Sequence, residues 1–160
     1  MTDQNNAVET RMEIPTQVVE QLRSALGERL VSVVLFRSQA RGEATTESDW
    51  DLLVIATGLP EKPLERHMFL TRLIAPGAAD AASLLAKTPE EFESGVPSLY
   101  LDIAVDGQIL YDLYGYMTER LATLRRVIAQ AGLYREHTQA GDWWRWKHQP
   151  SGQWSIEWGN

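Results

Sequence analysis

The sequence contains no cysteine. Disulfides, thiolate metal sites and cysteine nucleophiles are therefore excluded, and the composition fits a reducing compartment. Long apolar runs are missing too. The longest, Leu52 to Ala56, falls far short of the roughly 20 residues that a membrane-spanning helix needs. The first residues, MTDQNNAVETRME, lack the apolar centre of a signal peptide. A basic excess is also absent, because the formal net charge is −7. Nonspecific nucleic-acid binding draws on a basic face, so direct nucleic-acid binding is not expected. These absences together predict a soluble cytoplasmic protein with no membrane contact.

What is present suits one globular unit. The chain has 160 residues, 44% hydrophobic and 23% charged, near ordinary globular values. A helix is expected from Pro15, where Val18, Val19, Leu22, Ala25 and Leu26 recur at helical spacing. Leu30–Phe36 and Trp50–Ala56 read as buried strands. The second is apolar on both faces after Asp51, so it belongs inside a sheet. A helix follows from about Pro63 to Ile74, ended by Pro76 and Gly77. A third strand is expected at Ala82–Ala86, then a helix start with Thr88 as its cap and Glu91 closing a capping box. Further elements are a helix from about Pro97 to Val105, a short strand over 108–112 and a helix from about Tyr114 to Ala131. The expected division is a flexible leader over 1–13, a main domain over 14–132 and a Trp-rich extension over 133–160. Five of the six tryptophans lie in that extension.

The chemistry is concentrated in Leu35-Phe36-Arg37-Ser38-Gln39-Ala40-Arg41-Gly42 and Ser48-Asp49-Trp50-Asp51. Side chains two apart on a strand point the same way, which aims Asp49 and Asp51 together. Two carboxylates so close favour a cation between them. Hard oxygen ligands of this kind suit Mg²⁺, which keeps waters and takes substrate phosphates. The first strand ends in a turn that opens a short helix near Ser38, and N–H groups at a helix start can hold phosphate. An Asp-x-Asp pair alone fits a solvated strand edge equally well. The combination of apolar strand, Ser38, ten residues, Asp49-x-Asp51 and a second apolar strand is far more specific.

That stretch resembles the signature of minimal nucleotidyltransferases of the DNA polymerase β superfamily. ARGEATTESDWDLLVI is similar to the same family. TPEEFESGVPSLYLDIAVDGQILYD is similar to the continuation in a branch that includes MntA-type antitoxins. The resemblance implies an α+β polymerase β-like fold: a small mixed sheet flanked by helices, here with a Trp-rich C-terminal extension. It also implies transfer of a nucleoside monophosphate from an NTP donor, AMP when the donor is ATP and the corresponding NMP when it is another NTP, with Mg²⁺ or Mn²⁺. The acceptor would be a hydroxyl of a protein or small molecule, and a HEPN-like protein is one implied partner. Carried over, Asp49 and Asp51 would be catalytic metal ligands, and Ser38 would contact phosphate. Arg37 and Arg41 join the nucleotide-binding set, although Arg41 has no assigned contact and could instead pair locally.

Two positions depart from the family pattern. Arg37 stands where the family has glycine, and it could add a cation for the triphosphate or obstruct the cradle. Ser83 stands where a third carboxylate is usual. Both features support an alternative, a binding module or antitoxin-type partner with impaired turnover. The tryptophans Trp143, Trp144 and Trp146 could stack bases or form a subunit contact. A terminal hairpin covering an open sheet or helix face is the favoured expectation. His137 and His148 lack metal-ligand spacing.

Overall fold

A computed structural model describes residues 13–158. The leader expected over 1–13 lies, except for Glu13, outside the described residues. Helix α1 (Ile14–Leu26) opens the fold, and a 3₁₀ turn (Gly27–Arg29) leads into β1 (Leu30–Phe36). A short helix α2 (Arg37–Arg41) follows at once, then a loop and β2 (Trp50–Ala56). Next come α3 (Pro63–Thr71), α4 (Pro76–Ala81), β3 (Ala82–Lys87), α5 (Pro89–Glu93), α6 (Ser98–Asp106) and β4 (Gln108–Asp112). A second 3₁₀ turn (Leu113–Gly115) precedes α7 (Tyr116–Gln130), and the hairpin β5 (Leu133–Thr138) and β6 (Gly141–Trp146) closes the described structure.

Four strands form one sheet in the order β3-β2-β1-β4, with β2–β3 parallel and both partners of β1 antiparallel. The two strands that are richest in β-branched and long aliphatic residues occupy the centre, as their two-sided apolar character requires. On one face, Leu35, Leu52, Val54 and Ala56 pack under α1, α3 and α4. On the other, Val34, Phe36, Leu53 and Ile55 pack under Phe92 of α5 and the apolar faces of α6 and α7. The sheet is thus a filling between two helical layers.

The capping box at α5 forms as the sequence predicts. Glu91 N–H donates to Thr88 Oγ1 at 3.2 Å, and Thr88 N–H donates to Glu91 Oε2 at 3.0 Å. Arg66 on α3 then reaches the same carboxylate with two hydrogen bonds of 2.6 and 2.8 Å. The expected helix over Pro63–Ile74 stops at Thr71, and Pro76 starts a separate helix instead of merely ending one.

Of the three tryptophans expected to cover the core, the hairpin places Trp144 and Trp146 against it and Trp143 away from it. Its cross-strand pairs are Leu133–Trp146, Arg135–Trp144 and His137–Asp142, so these six share one face. Trp144, Trp146 and Trp158 pack against the core beneath α6 and α7. Trp143 points the other way and is 55% exposed, so it covers nothing. Trp154 instead stacks edge-on with Trp146, their centroids 4.1 Å apart.

A candidate active cleft between the first two strands and the hairpin

The turn from β1 into α2 is sharp. Arg37, immediately after Phe36, has a φ of +60°. That left-handed conformation is where glycine is at ease and a branched or long side chain is strained. Gly42 ends α2 at φ +71°, and its N–H returns to the Ser38 and Gln39 carbonyls. Helix α2 has only five residues, so its macrodipole is slight. What the turn contributes is a set of first-turn N–H groups with no helical acceptor.

Asp51 stands opposite this turn, because β1 and β2 pair Phe36 with Asp51. Asp49 lies one residue before the strand begins, exposed, and its charge raises the Asp51 pKa. Burial is the largest cause of that upward shift. The Arg37 guanidinium opposes it, donating from Nη1 to Asp51 Oδ1 at 3.2 Å. The Asp51 side chain is 14% exposed and the Arg37 side chain 58%. A partly buried carboxylate with a second carboxylate beside it thus has one solvent-facing counter-ion. This donor set fits a hard divalent cation, which would relieve both the desolvation and the repulsion. Asp49 and Asp51 would hold it, and substrate oxygens and water would complete its shell. Among the described residues, no group of three or more His, Asp or Glu side chains is arranged to hold a metal by itself.

These residues line a cleft of about 580 Å³. Arg37, Ser38, Arg41 and Asp51 all face it. Four of the five sequence-selected residues are thereby brought together, with Asp49 adjacent. Arg41 pairs locally, as the plainer sequence reading allowed. Its Nε donates to Glu43 Oε2 at 2.9 Å, and its Nη1 lies 3.8 Å from Asp106 Oδ2. Glu43 is the main cause of its raised pKa. Ser83 on β3, expected to stand where the family has a third carboxylate, pairs with Asp51 on β2. No carboxylate stands beside Asp51 from that strand.

The opposite wall was not legible in the sequence. It comes from α6 and the hairpin: Asp102, Asp106, His137 and Asp142. Arg135 holds the wall together. Its guanidinium donates to Asp106 at 2.5 and 3.0 Å and to Asp102 at 3.3 Å, and lies 3.8 Å from Asp142. Asp106 and Asp102 hold its pKa well above the usual arginine value. Trp144 Nε1 donates to Asp102 at 3.0 Å. The one sequence signal that could have exposed this wall is the alternation Leu133-Arg135-His137 against Asp142-Trp144-Trp146 across a two-residue turn.

Comparison with known proteins bears on what such a cleft is for. A relative from Methanocaldococcus jannaschii, named "Putative protein adenylyltransferase", is 27% identical over 116 residues, covering 70% of this chain and 79% of its own length. A solved structure described as a putative nucleotidyltransferase from Sulfolobus solfataricus is 21% identical, with a TM-score of 0.48, covering 66% of this chain and 86% of its own. A tri-AMPylated HEPN toxin in complex with MNT antitoxin from Shewanella oneidensis gives 16% identity and a TM-score of 0.46, covering 75% and 87%. No helix among the described residues is long and apolar enough to cross a membrane. The model of the family described as "Nucleotidyltransferase domain" matches residues 16–122. That match takes in every strand of the main sheet and both walls' β1–α2–β2 and α6 elements, and the chain belongs to that nucleotidyltransferase family.

Proposed function

We propose that this chain is an enzyme that transfers AMP from ATP to a hydroxyl group of another protein, using Mg²⁺ or Mn²⁺ at Asp49 and Asp51. One observation carries the reading. Asp51 is a partly buried carboxylate whose pKa burial has raised, and it stands beside the Ser38 turn on one wall of a cleft large enough for a nucleotide. The protein-directed acceptor is supported by the name of the archaeal relative. A HEPN-like partner is supported by the sequence likeness of residues 88–112 to the antitoxin branch. A cytoplasmic location follows from dependence on ATP.

The chain's own groups divide the work. Ser38 and the first-turn N–H groups of α2 hold phosphate oxygens. Arg37 leaves Asp51 and turns to the triphosphate, where a guanidinium–phosphate bond is strong. Asp49 and Asp51 hold the cation, which, when bound, supplies charge neutralisation for the departing pyrophosphate. Residues 14–132 carry this machinery, and the extension over 133–160 closes the cleft from the far side.

The test is ATP labelled in turn at the α- and γ-phosphate, with Mg²⁺ and a lysate of HEPN-containing cells as the acceptor source. Label from the α-phosphate alone should become attached to protein, and Asp51→Asn should abolish it. Attachment from the γ-phosphate would mean phosphorylation and would refute the proposal. A second reading has specific support: Arg37 sits on Asp51, and Ser83 replaces the third carboxylate. On that reading the cleft binds nucleotide without turnover, and ATP would bind with no label transferred at all.

A further inference from the structure

The proposed transfer lacks one part. An acceptor hydroxyl must lose its proton as its oxygen attacks phosphorus. Ser83, beside Asp51 on β3, is no base near neutral pH. The hairpin wall supplies a different group. His137 on β5 and Asp142 on β6 face each other in register, with Nδ1 and Oδ1 2.7 Å apart. Both side chains line the cleft that holds Asp51, Ser38 and Arg37. An ionised carboxylate can only accept, so the proton between them sits on Nδ1. Nε2 is then left as a lone-pair acceptor, and it has no hydrogen bond among the described residues.

We infer that His137 is the general base of nucleotidyl transfer in this chain, with Asp142 positioning its ring. The inference rests on the nucleotidyltransferase reading above. In the step, the acceptor oxygen forms a bond to the α-phosphorus, and the bond from that phosphorus to the bridging oxygen of pyrophosphate breaks. The hydroxyl proton passes to His137 Nε2, and pyrophosphate leaves with the bridging electron pair. The imidazolium is stabilised by Asp142 and later returns its proton to water.

The hairpin is built to deliver this pair. Its inner face changes character along its length. Leu133 and Trp146 are anchored in the core, Arg135 and Trp144 are pinned to Asp102, and His137 and Asp142 project at the far end. A base must be held to within a fraction of an ångström, and the two inner anchors provide that. The charges around the ring suit a base that becomes cationic. Asp142 is in contact, and Asp106 on α6 lines the same cleft. Arg135, next on the same strand, has its guanidinium engaged by Asp106, Asp102 and Asp142. Across the cleft, Arg41 is paired with Glu43 and Arg37 with Asp51. The side chain itself is 67% exposed, open to an incoming acceptor.

Two measurements decide the matter, the first without turnover. In long-range proton–nitrogen spectra of the full chain, His137 should be the Nδ1-protonated tautomer, and Asp142→Asn should abolish that preference. An Nε2-protonated ring in the wild type overturns the inference. The second measures pyrophosphate release from MgATP, with a library of Ser-, Thr- and Tyr-containing peptides as acceptor. His137→Gln should lower kcat by about 10²–10³, the usual contribution of a general base, leave KM for ATP unchanged, and remove the acid limb of the pH profile. Imidazole in solution should partly restore His137→Gly, which a structural role would not allow. A His137→Gln enzyme within threefold of wild type, or one that keeps its acid limb, overturns the inference and leaves the reading standing. A wild type that releases no pyrophosphate while Asp51→Asn behaves identically overturns the reading, and the inference falls with it.

Discussion

The two walls of the cleft each join arginine to aspartate, with opposite results. On the β1–β2 side, Arg37 meets Asp51 through one hydrogen bond of 3.2 Å, with the arginine side chain 58% exposed. On the hairpin side, Arg135 is 12% exposed and engages Asp106, Asp102 and Asp142. An exposed single pair contributes little and is readily exchanged for another ion. A shared, partly buried cluster is harder to break, because removing the arginine leaves several half-buried carboxylates without a counter-ion. The same two side-chain types therefore make a displaceable counter-ion on one wall and a fixed clamp on the other. The proposed transfer would use both, one wall admitting a cation and phosphate while the other holds its shape.

The sharpest way to break this comparison is Asp51→Asn. Transfer should fall by about 10³ or more, since the change removes a charged ligand from the reacting centre. The fold should not suffer. The Asp51 pKa is raised in the folded state, so its ionised form opposes folding above the ordinary 3.8, and stability falls as pH rises through the shifted value. A neutral isostere is free of that penalty. Label transfer and thermal melting, both at pH 7 without metal in the melt, check the two halves. A large loss of melting temperature would show that Asp51 is structural.

Arg135→Met should have the next largest effect. It strands Asp102 and Asp106 and should cost about 2–3 kcal/mol, less than a fully buried pair because Asp102 remains partly exposed. Urea unfolding measures it, with loss of hairpin amide protection in hydrogen exchange as the local signature. An unchanged midpoint would mean that the far wall is held by tryptophan packing alone.

Arg37→Gly sharpens the contrast from the near wall. With the competing guanidinium gone, Mg²⁺ alone should bind roughly fivefold more tightly, the equivalent of an exposed ion pair of about 1 kcal/mol. The same change relieves the positive φ at this position and should stabilise the chain by about 1 kcal/mol. Calorimetric titration and denaturant unfolding separate these outcomes. Weaker Mg²⁺ binding would show that the arginine assists the cation and does not compete with it.

The smallest effect belongs to the outer face of the hairpin. Trp143→Ala should change stability by no more than about 0.5 kcal/mol, as expected for an exposed side chain. Trp146→Ala should cost several times that, because Trp146 packs on the core and against Trp154. Equal effects for the two would contradict the alternation of the hairpin.

Local signals were read well. The strands Leu30–Phe36 and Trp50–Ala56 and the Thr88 capping box depend on residues a few positions apart. Patterns of this kind are visible in a line of text because period, cap chemistry and turn chemistry are local. The sequence also marked Ser83 as the odd position, and the parallel register sets it beside Asp51. It did not reveal that Arg37 lies on Asp51, 14 positions on. Nor did it reveal that Asp102 and Asp106 join Arg135 from about 30 positions away.

By itself, the sequence determined the nature of the chemistry. An apolar strand, a serine turn and a second strand led by two aspartates put the carboxylates beside the serine turn, because β pairing brings Phe36 and Asp51 together. Only the tertiary structure decided what faces that motif. The hairpin could have lain against either layer. The core beneath α6 and α7 accepted Leu133, Trp144 and Trp146, and burying those side chains carried His137 and Asp142 to the mouth of the cleft.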